Sequence, residues 1–479
     1  MNTVNLRMLA AACGIGLCSV GIVVGMEAKP KLADAVKRQD KATVRLLLEN
    51  GADVTIPQAD GMTALHWAVY HDDLQLTKEL LERDANAKAA NRYGVTVLSI
   101  ACLNGNGKIV ELLLKQGADA DQALRGGETP LMIAARTGKL EAVNVLLSHG
   151  VKVDVTERHG QTALMWAAAE GNVMVVDALL KAGADFKTPL PSGFTPLFFA
   201  VREGRGQVVR RLLQEGLNVN DVMQPKRRPR NGPLPGTSPL ILAIENGHFE
   251  LAAQLVDRGA NPNTKQAGFA PLHAMTWVRK PLRGDGDPPP IGSGKLSSLD
   301  LVRVLVEAGA DVDSRHPRQN AGRGRLNRTE ATPFLLAAET GDVPLMKLLV
   351  ELGADPLLQN KDHCTPLLAA AGVGVISDGD ETAGTEEEAI AAIEFLLEQG
   401  ADINAVDDLG NSAMHGAAYK SWTKLVQFLA DHGADPDIWN KKNKLGWTPL
   451  MIANGHRPGN FRPSAETIAA IESVLGTDP

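Results

Sequence analysis

From about residue 30 onward, apolar and polar positions follow one scheme that repeats. Thr63, Thr96, Thr129, Thr162 and Thr195 stand 33 residues apart, and each follows a glycine by two positions (Gly61, Gly94, Gly127, Gly160, Gly193). A leucine follows each threonine at the same distance: Leu65, Leu98, Leu131, Leu164 and Leu197. After each threonine the spacing predicts a short helix. The threonine suits the cap, and a proline after Thr129, Thr195, Thr332, Thr365 and Thr448 loses nothing by lacking an N–H in the first turn. Small pairs such as Ala134-Ala135 and Ala167-Ala168 permit close helix contact. A polar turn then leads to a second helix with apolar residues at helical spacing, as in Ile109, Val110, Leu113 and Leu114, or Val175, Val176, Leu179 and Leu180. Gly-Ala-Asp closes it, with Gly117, Gly183, Gly259, Gly309, Gly353, Gly400 and Gly433 as left-handed caps.

Later copies open at Ser238, Ala270, Thr332, Thr365, Ser412 and Thr448, and a lead copy spans about 30–59, making twelve units. The period, the GxTPLH-like opening and the LLxxGAD close resemble the ankyrin-repeat family over nearly the whole chain after Ala28. The resemblance implies an all-α solenoid of about twelve helix-turn-helix units joined by β-hairpin loops, each unit burying its apolar face against its neighbours. The last helix, about Ala465 to Leu475, carries Glu466, Thr467, Glu472 and Ser473 outward and reads as a capping unit. His363 stands where an opening glycine belongs, so that turn is expected to be strained or redrawn. The family's histidine survives as His66, His273 and His415 only, which makes inter-repeat bonding through it patchy.

Insertions break the period at 224–236, at 314–330, at about 277–297, at about 373–388 and, briefly, near Lys441–Lys444. Two segments are therefore expected: regular repeats over 27–222, and repeats with insertions and a cap over 223–479. Before them, Arg7 is the one charge ahead of Glu27, and Met8 to Met26 is an apolar run. That pattern reads as a signal peptide over 1–25, cleaved after Gly25, with an uncleaved membrane anchor as the alternative. It suggests an exported, bacterial member of the family, periplasmic or secreted. Cleavage would leave Cys102 and Cys364, separated by seven repeats or roughly 70 Å at about 10 Å per helix layer. They are expected to be free thiols, because a disulfide needs Cα atoms within about 7 Å.

Candidate catalytic chemistry does not survive inspection. Gly292 to Ser297 reads GSGKLS, but Leu296 stands where a phosphate-binding loop needs Ser or Thr, and no strand precedes it. Asp119/Asp121, Asp311/Asp313 and Asp435/Asp437 recur at one register of the repeat, which marks them as hairpin structure. The three histidines are one per unit and never clustered, unlike metal ligands or a catalytic base. No enzyme, metal or cofactor is expected. Asn327-Arg328-Thr329 matches a glycosylation acceptor, a weak motif.

The resemblance implies a partner site on the hairpin positions before each opening threonine and on the outer ends of the first helices. Carried over residue by residue, it selects Arg92, Arg125 and Arg158, four positions before their threonines, with Tyr93, His159, Phe194 and Phe269 beside them. On the helices it selects Tyr70, His71, Arg136 and Arg202. Arg and Tyr are enriched where interfaces concentrate their energy. Glu128, Glu170 and Glu203 could neutralise the cations and leave an ordinary solvated surface. Two insertions add Lys226, Arg227, Arg228 and Arg230, then Arg315, Arg318, Arg323, Arg325 and Arg328, expected as a pair of basic fingers on one edge that clamp an anionic partner. The acids of the 373–388 insertion would lie on the opposite edge. The function this implies is a protein-interaction scaffold. Alternatives are binding of an anionic polymer or membrane surface through the basic loops, or a regulatory subunit of an enzyme. A net charge of −7 argues against a chain built to coat nucleic acid.

Overall fold

The computed structural model describes residues 31–227, 233–281, 290–317, 326–374, 384–456 and 462–476. The N-terminal apolar run lies outside the described residues. Among them, no helix is long and apolar enough to cross a membrane. The described chain is helical, with one isolated backbone bridge, between Ala90 and Thr96. Twelve helix pairs run from Leu32–Lys37 with Lys41–Glu49 to Pro449–Ala453 with Ala465–Leu475, plus a single extra turn at Pro436–Trp439.

Each first helix begins where its cap residue dictates. The Thr96 hydroxyl accepts the Ser99 N–H at 3.0 Å, and Thr129, Thr162, Thr332, Thr365 and Thr448 repeat the arrangement. Where Ala270 replaces the threonine, His273 Nδ1 accepts the Ala270 N–H at 3.3 Å. First helix packs on first helix and second on second, as Pro130–Arg136 does on Ala163–Glu170 and Gly107–Lys115 on Leu140–Ser148. The core between them is the leucine row itself: Leu65, Leu98, Leu131, Leu164 and Leu197 are at most 2% exposed. Ala134, Ala135, Ala167 and Ala168 are wholly buried, which is what lets the layers approach.

The hairpins differ from the expected β-hairpins. They contain no paired strand among the described residues, and the uninterrupted ones close within five residues. Asn91 N–H bonds the Val95 carbonyl at 2.9 Å, Leu124 that of Glu128 at 2.9 Å, and Glu157 that of Gln161 at 3.1 Å, leaving no length for a ladder. His363 keeps the conformation of the glycine it replaces, with φ at +54°. Its turn is redundantly held: Asn360 Oδ1 accepts from Asp362 N–H at 3.0 Å and Cys364 N–H at 2.9 Å. Those bonds offset the strain of a left-handed non-glycine residue.

The chain divides into two compact bodies that exchange within the sixth repeat. The first holds the residues up to Leu190 with Thr195–Ala200 and Gln207–Leu212, and the second holds Pro191–Phe194, Val201–Gly206 and the remainder from Leu213. Each is built on the repeat plan above.

Candidate interaction surface

The hairpin tips of the first body are stiff. Asn91 Oδ1 accepts the N–H groups of Tyr93 and Val95, both at 2.9 Å, and the buried Glu157 carboxylate does the same for His159 at 2.9 Å and Gln161 at 3.1 Å. Successive tips are stitched through the backbone: Arg92 N–H donates to the Asp60 carbonyl at 2.9 Å and Arg158 N–H to that of Gly126 at 3.1 Å. On this frame the three expected arginines are exposed, and their side chains lie along it. Arg92 Nη2 donates to the Ala59 carbonyl at 2.7 Å, and Arg125 Nη2 to the Arg92 carbonyl at 2.5 Å. The Arg125 stem crosses Gly94, where a Cβ would stand 3.4 Å from its Cγ. Arg158 Nε donates to His159 Nε2 at 3.1 Å. A guanidinium has five N–H donors, so most of each remains available. None of the three forms an ion pair with a described carboxylate. The ion pairs described in this body sit instead on the second helices, at Lys78–Glu82, Arg83–Glu79, Lys115–Glu111, Lys181–Asp177 and Arg211–Asp177.

At the first-helix ends, Tyr70 is 41% exposed and meets Trp67 and His71 edge-on at 5.6 and 5.3 Å. Lys37 Nζ lies 4.9 Å over the Trp67 ring, and Trp67 Nε1 donates to Gln58 at 2.7 Å. His71 is a cap as much as a surface residue, since its Nε2 bonds the Lys37 carbonyl at 3.2 Å and its Nδ1 accepts from Gln39 at 2.8 Å. Arg136, half-buried, lies 5.2 Å over Trp166. Trp67 and Trp166 were missed by the sequence reading. Their signal was available, because Trp67, Ile100, Ile133, Trp166 and Phe199 share one 33-residue register.

Phe194 and Phe269 do not stand on the surface as expected. Both are 7% exposed. The residue before the opening threonine turns inward as the tip closes, where Met62 is also buried. Phe194 packs under Arg202, whose guanidinium lies 5.0 Å from the ring and meets Glu203 at 2.9 Å. Phe269 packs edge-on against Trp277 at 4.8 Å.

In the second body two of the nine expected basic-finger residues, Arg315 and Arg328, are engaged within the chain. Lys226 and Arg227 are exposed. Arg228, Arg230, Arg318, Arg323 and Arg325 lie outside the described residues. Arg315 instead donates to the Glu330 carbonyl at 2.8 Å and that of Gln359 at 2.5 Å. Arg328 turns to Glu339, 3.7 Å away, whose side chain is 10% exposed. Burial raises the Glu339 carboxyl above its ordinary range, while Arg328 and then Lys420 hold it down. The feet of this insertion lie back on the repeats. Buried Leu326 sits so close to Gly374 that a Cβ there would stand 2.7 Å from the Leu326 Cα, and Asn327 donates to Asp362 at 2.9 Å.

The GSGKLS segment has a structural explanation. Gly292 rests on the Gly247 carbonyl, where a side chain could not fit. Ser293 N–H donates to His248 Nδ1 at 2.9 Å, and Ser297 caps the helix Ser298–Glu307. The TEEE segment is another helix start, capped by Thr385. Its acids are compensated locally: Glu388 meets Lys280 at 2.5 Å and Glu387 meets Lys424 at 2.6 Å.

The Asp pairs and two of the three histidines have structural partners in a neighbouring repeat or their own turn. Asp121 N–H bonds Asp119 at 3.0 Å, and Asp121 in turn accepts the Lys152 N–H of the next repeat at 3.2 Å. Asp313 likewise accepts the Asp355 N–H at 3.1 Å, and Asp435 the Asp437 N–H at 2.8 Å. His273 Nε2 bonds the Ala331 carbonyl at 3.1 Å and His415 Nε2 that of Trp447 at 3.3 Å, each bridging to the next repeat. Burial pushes His66 and His415 down to about 4 and His273 to about 3, so all three are neutral at physiological pH. Cys102 and Cys364 are free and buried, which pushes both thiols up. Among the described residues no group of three His, Cys, Asp or Glu could hold a metal ion.

This arrangement defines a repeat protein whose recognisable chemistry is surface display. The family model for ankyrin repeats (3 copies) matches residues 32–123, 117–189, 183–266 and 383–459, and that for a single ankyrin repeat matches 329–361. The chain belongs to the ankyrin-repeat family, whose repeats generally mediate protein–protein interaction. It is similar to mouse ankyrin repeat and SOCS box protein 16, 26% identical over 45% of this chain and 47% of that protein. Human neurogenic locus notch homolog protein 1 is 30% identical over 34% of this chain and 5% of its own length. Human transient receptor potential cation channel subfamily A member 1 is 25% identical over 50% of this chain and 28% of its own length. The chain thus spans less than half the length of these relatives.

Proposed function

We propose that this chain is a non-enzymatic scaffold that binds a protein partner on its first body, along the hairpin tips and first-helix ends of repeats 2 to 5. One observation carries the reading: Arg92, Arg125 and Arg158 are exposed, pre-positioned and without a carboxylate partner among the described residues, whereas Lys78, Lys115 and Lys181 on second helices of the same body are ion-paired. Tyr70 and Tyr93, at 41% and 51% exposure, add the aromatic surface that interfaces favour. The basic loops carry less weight as an anion-binding device, because Arg315 and Arg328 are engaged within the chain.

The test compares partner capture by the full chain, by an Arg92→Ala/Arg125→Ala/Arg158→Ala variant, and by a Lys78→Ala/Lys115→Ala/Lys181→Ala control. Each removes three cations. Loss of capture by the first variant alone supports the surface, and equal capture by all three overturns it.

A further inference from the structure

The geometry points to the partner's chemistry: an extended peptide segment carrying a carboxylate at every third residue, laid across the tips of repeats 3 to 5. This rests on the surface reading above. The tips bearing Arg92, Arg125 and Arg158 belong to consecutive repeats, and packed helix layers advance by about 10 Å. An extended chain advances about 3.3 Å per residue, so three residues span the same 10 Å. Carboxylates at positions i, i+3 and i+6 therefore meet the arginines in register, on a segment of about seven residues.

Three further features favour that occupant. The guanidinium groups are fixed before binding, Arg92 on Ala59 and Arg125 on Arg92 across Gly94, so less side-chain freedom is lost when a carboxylate arrives. Two of the tip acids are held by their own turns. Glu157 is buried and bonded to two backbone N–H groups of its own turn, and Asp60 accepts the Met62 N–H at 3.0 Å. Exposed Tyr93 stands beside Arg92, and exposed His159 beside Arg158, offering apolar contact for the residues between the acids. A nucleic acid is disfavoured, since the chain carries a net charge of −7 and a polyanion would meet that field along its whole length.

The experiment measures binding of fluorescent peptides to the full chain. One peptide carries glutamates at every third position, a second carries the same residues with the glutamates contiguous, and a third probe is a single-stranded oligonucleotide. The spaced peptide should bind best. Each single arginine-to-alanine change should weaken it by about two- to fivefold, the range of an exposed ion pair. Arg125→Glu should abolish binding, and a spaced peptide with lysine in its central position should restore it to that variant. Equal or tighter binding by the contiguous peptide or the oligonucleotide overturns the spacing, as does failure of the lysine peptide to rescue. If no peptide binds while partner capture still depends on the arginines, the inference fails and the surface reading stands. If capture is also independent of them, both fail.

Discussion

Acidification should act in opposite directions on two repeats. His66 is buried in repeat 2, and burial lowers it from 6.5 to about 4. Glu245, at the end of the first helix of repeat 7, is raised by burial from 4.5 to about 7. A lowered histidine contributes stability that is complete above pH 6.5 and lost progressively as pH falls toward 4, because the unfolded chain takes up the proton first. A raised carboxyl contributes stability that is complete below pH 4.5 and lost as pH rises through 7. Between pH 7 and pH 5, these values give a loss of about 2 kcal/mol around His66 and a gain of about 2 kcal/mol around Glu245. Ordinary exposed carboxylates are nearly all ionised at both values and drop out of the difference.

Repeat proteins open locally, so hydrogen exchange resolves the two sites, after correction for the intrinsic pH dependence of exchange. Protection over Ala64–Tyr70 should fall by roughly 30-fold at pH 5, and protection over Pro239–Glu245 should not fall. His66→Asn should flatten the first response and Glu245→Gln the second. A fall of equal size at both sites, or a response at repeat 2 that survives His66→Asn, would refute the assignment.

Two other outcomes follow from burial and pattern. Leu179, fully buried in the second helix of repeat 5, should cost about 2 to 5 kcal/mol when changed to Ala, with the protection loss in hydrogen exchange confined to that repeat and its neighbours. The apolar run from Met8 to Met26 should direct export, so N-terminal sequencing of the chain from cell fractions is expected to begin after Gly25; a cytosolic chain still starting at Met1 would contradict this.

Much of the fold was legible because the repeat fixes each residue's environment by its register. The leucine row, the threonine caps and the Asp pairs could be placed without coordinates, since every copy supports every other. The same logic would have exposed two errors. Phe194 and Phe269 share a register with Met62, an apolar residue whose type already suggested burial, and Trp67 shares one with Ile100 and Ile133. The insertions were not legible in this way. Their length and charge are visible in the sequence, but where a non-repeating loop lands depends on contacts with no periodic counterpart. Leu326 on Gly374 and Gly292 on Gly247 are such contacts. Arg328 therefore read as a free cation of a finger, when its role is to face a carboxylate 11 residues further along the chain.

That carboxylate shows how the bodies differ at one register. Seven residues after the opening threonine stand Tyr70 and Arg136 in the first body, and Glu339 in the second. Tyr70 is 41% exposed, while the Glu339 side chain, near the folded-back feet of the 314–330 insertion, is 10% exposed. Cover and charge act on Glu339 with opposite sign. Burial raises its carboxyl, and the Arg328 guanidinium lowers it. Arg328→Ala removes the charge and keeps Leu326 in place, so the carboxyl should rise further. Replacing residues 315–328 with a short Gly-Ser turn removes Arg328 and four further arginines together with the buried Leu326, and if that segment supplies the burial of Glu339 the carboxyl should fall toward its ordinary range. NMR titration of the Glu339 side chain reads both. If the two variants shift it in the same direction, the insertion is not what buries Glu339, and the neighbouring repeats supply that cover.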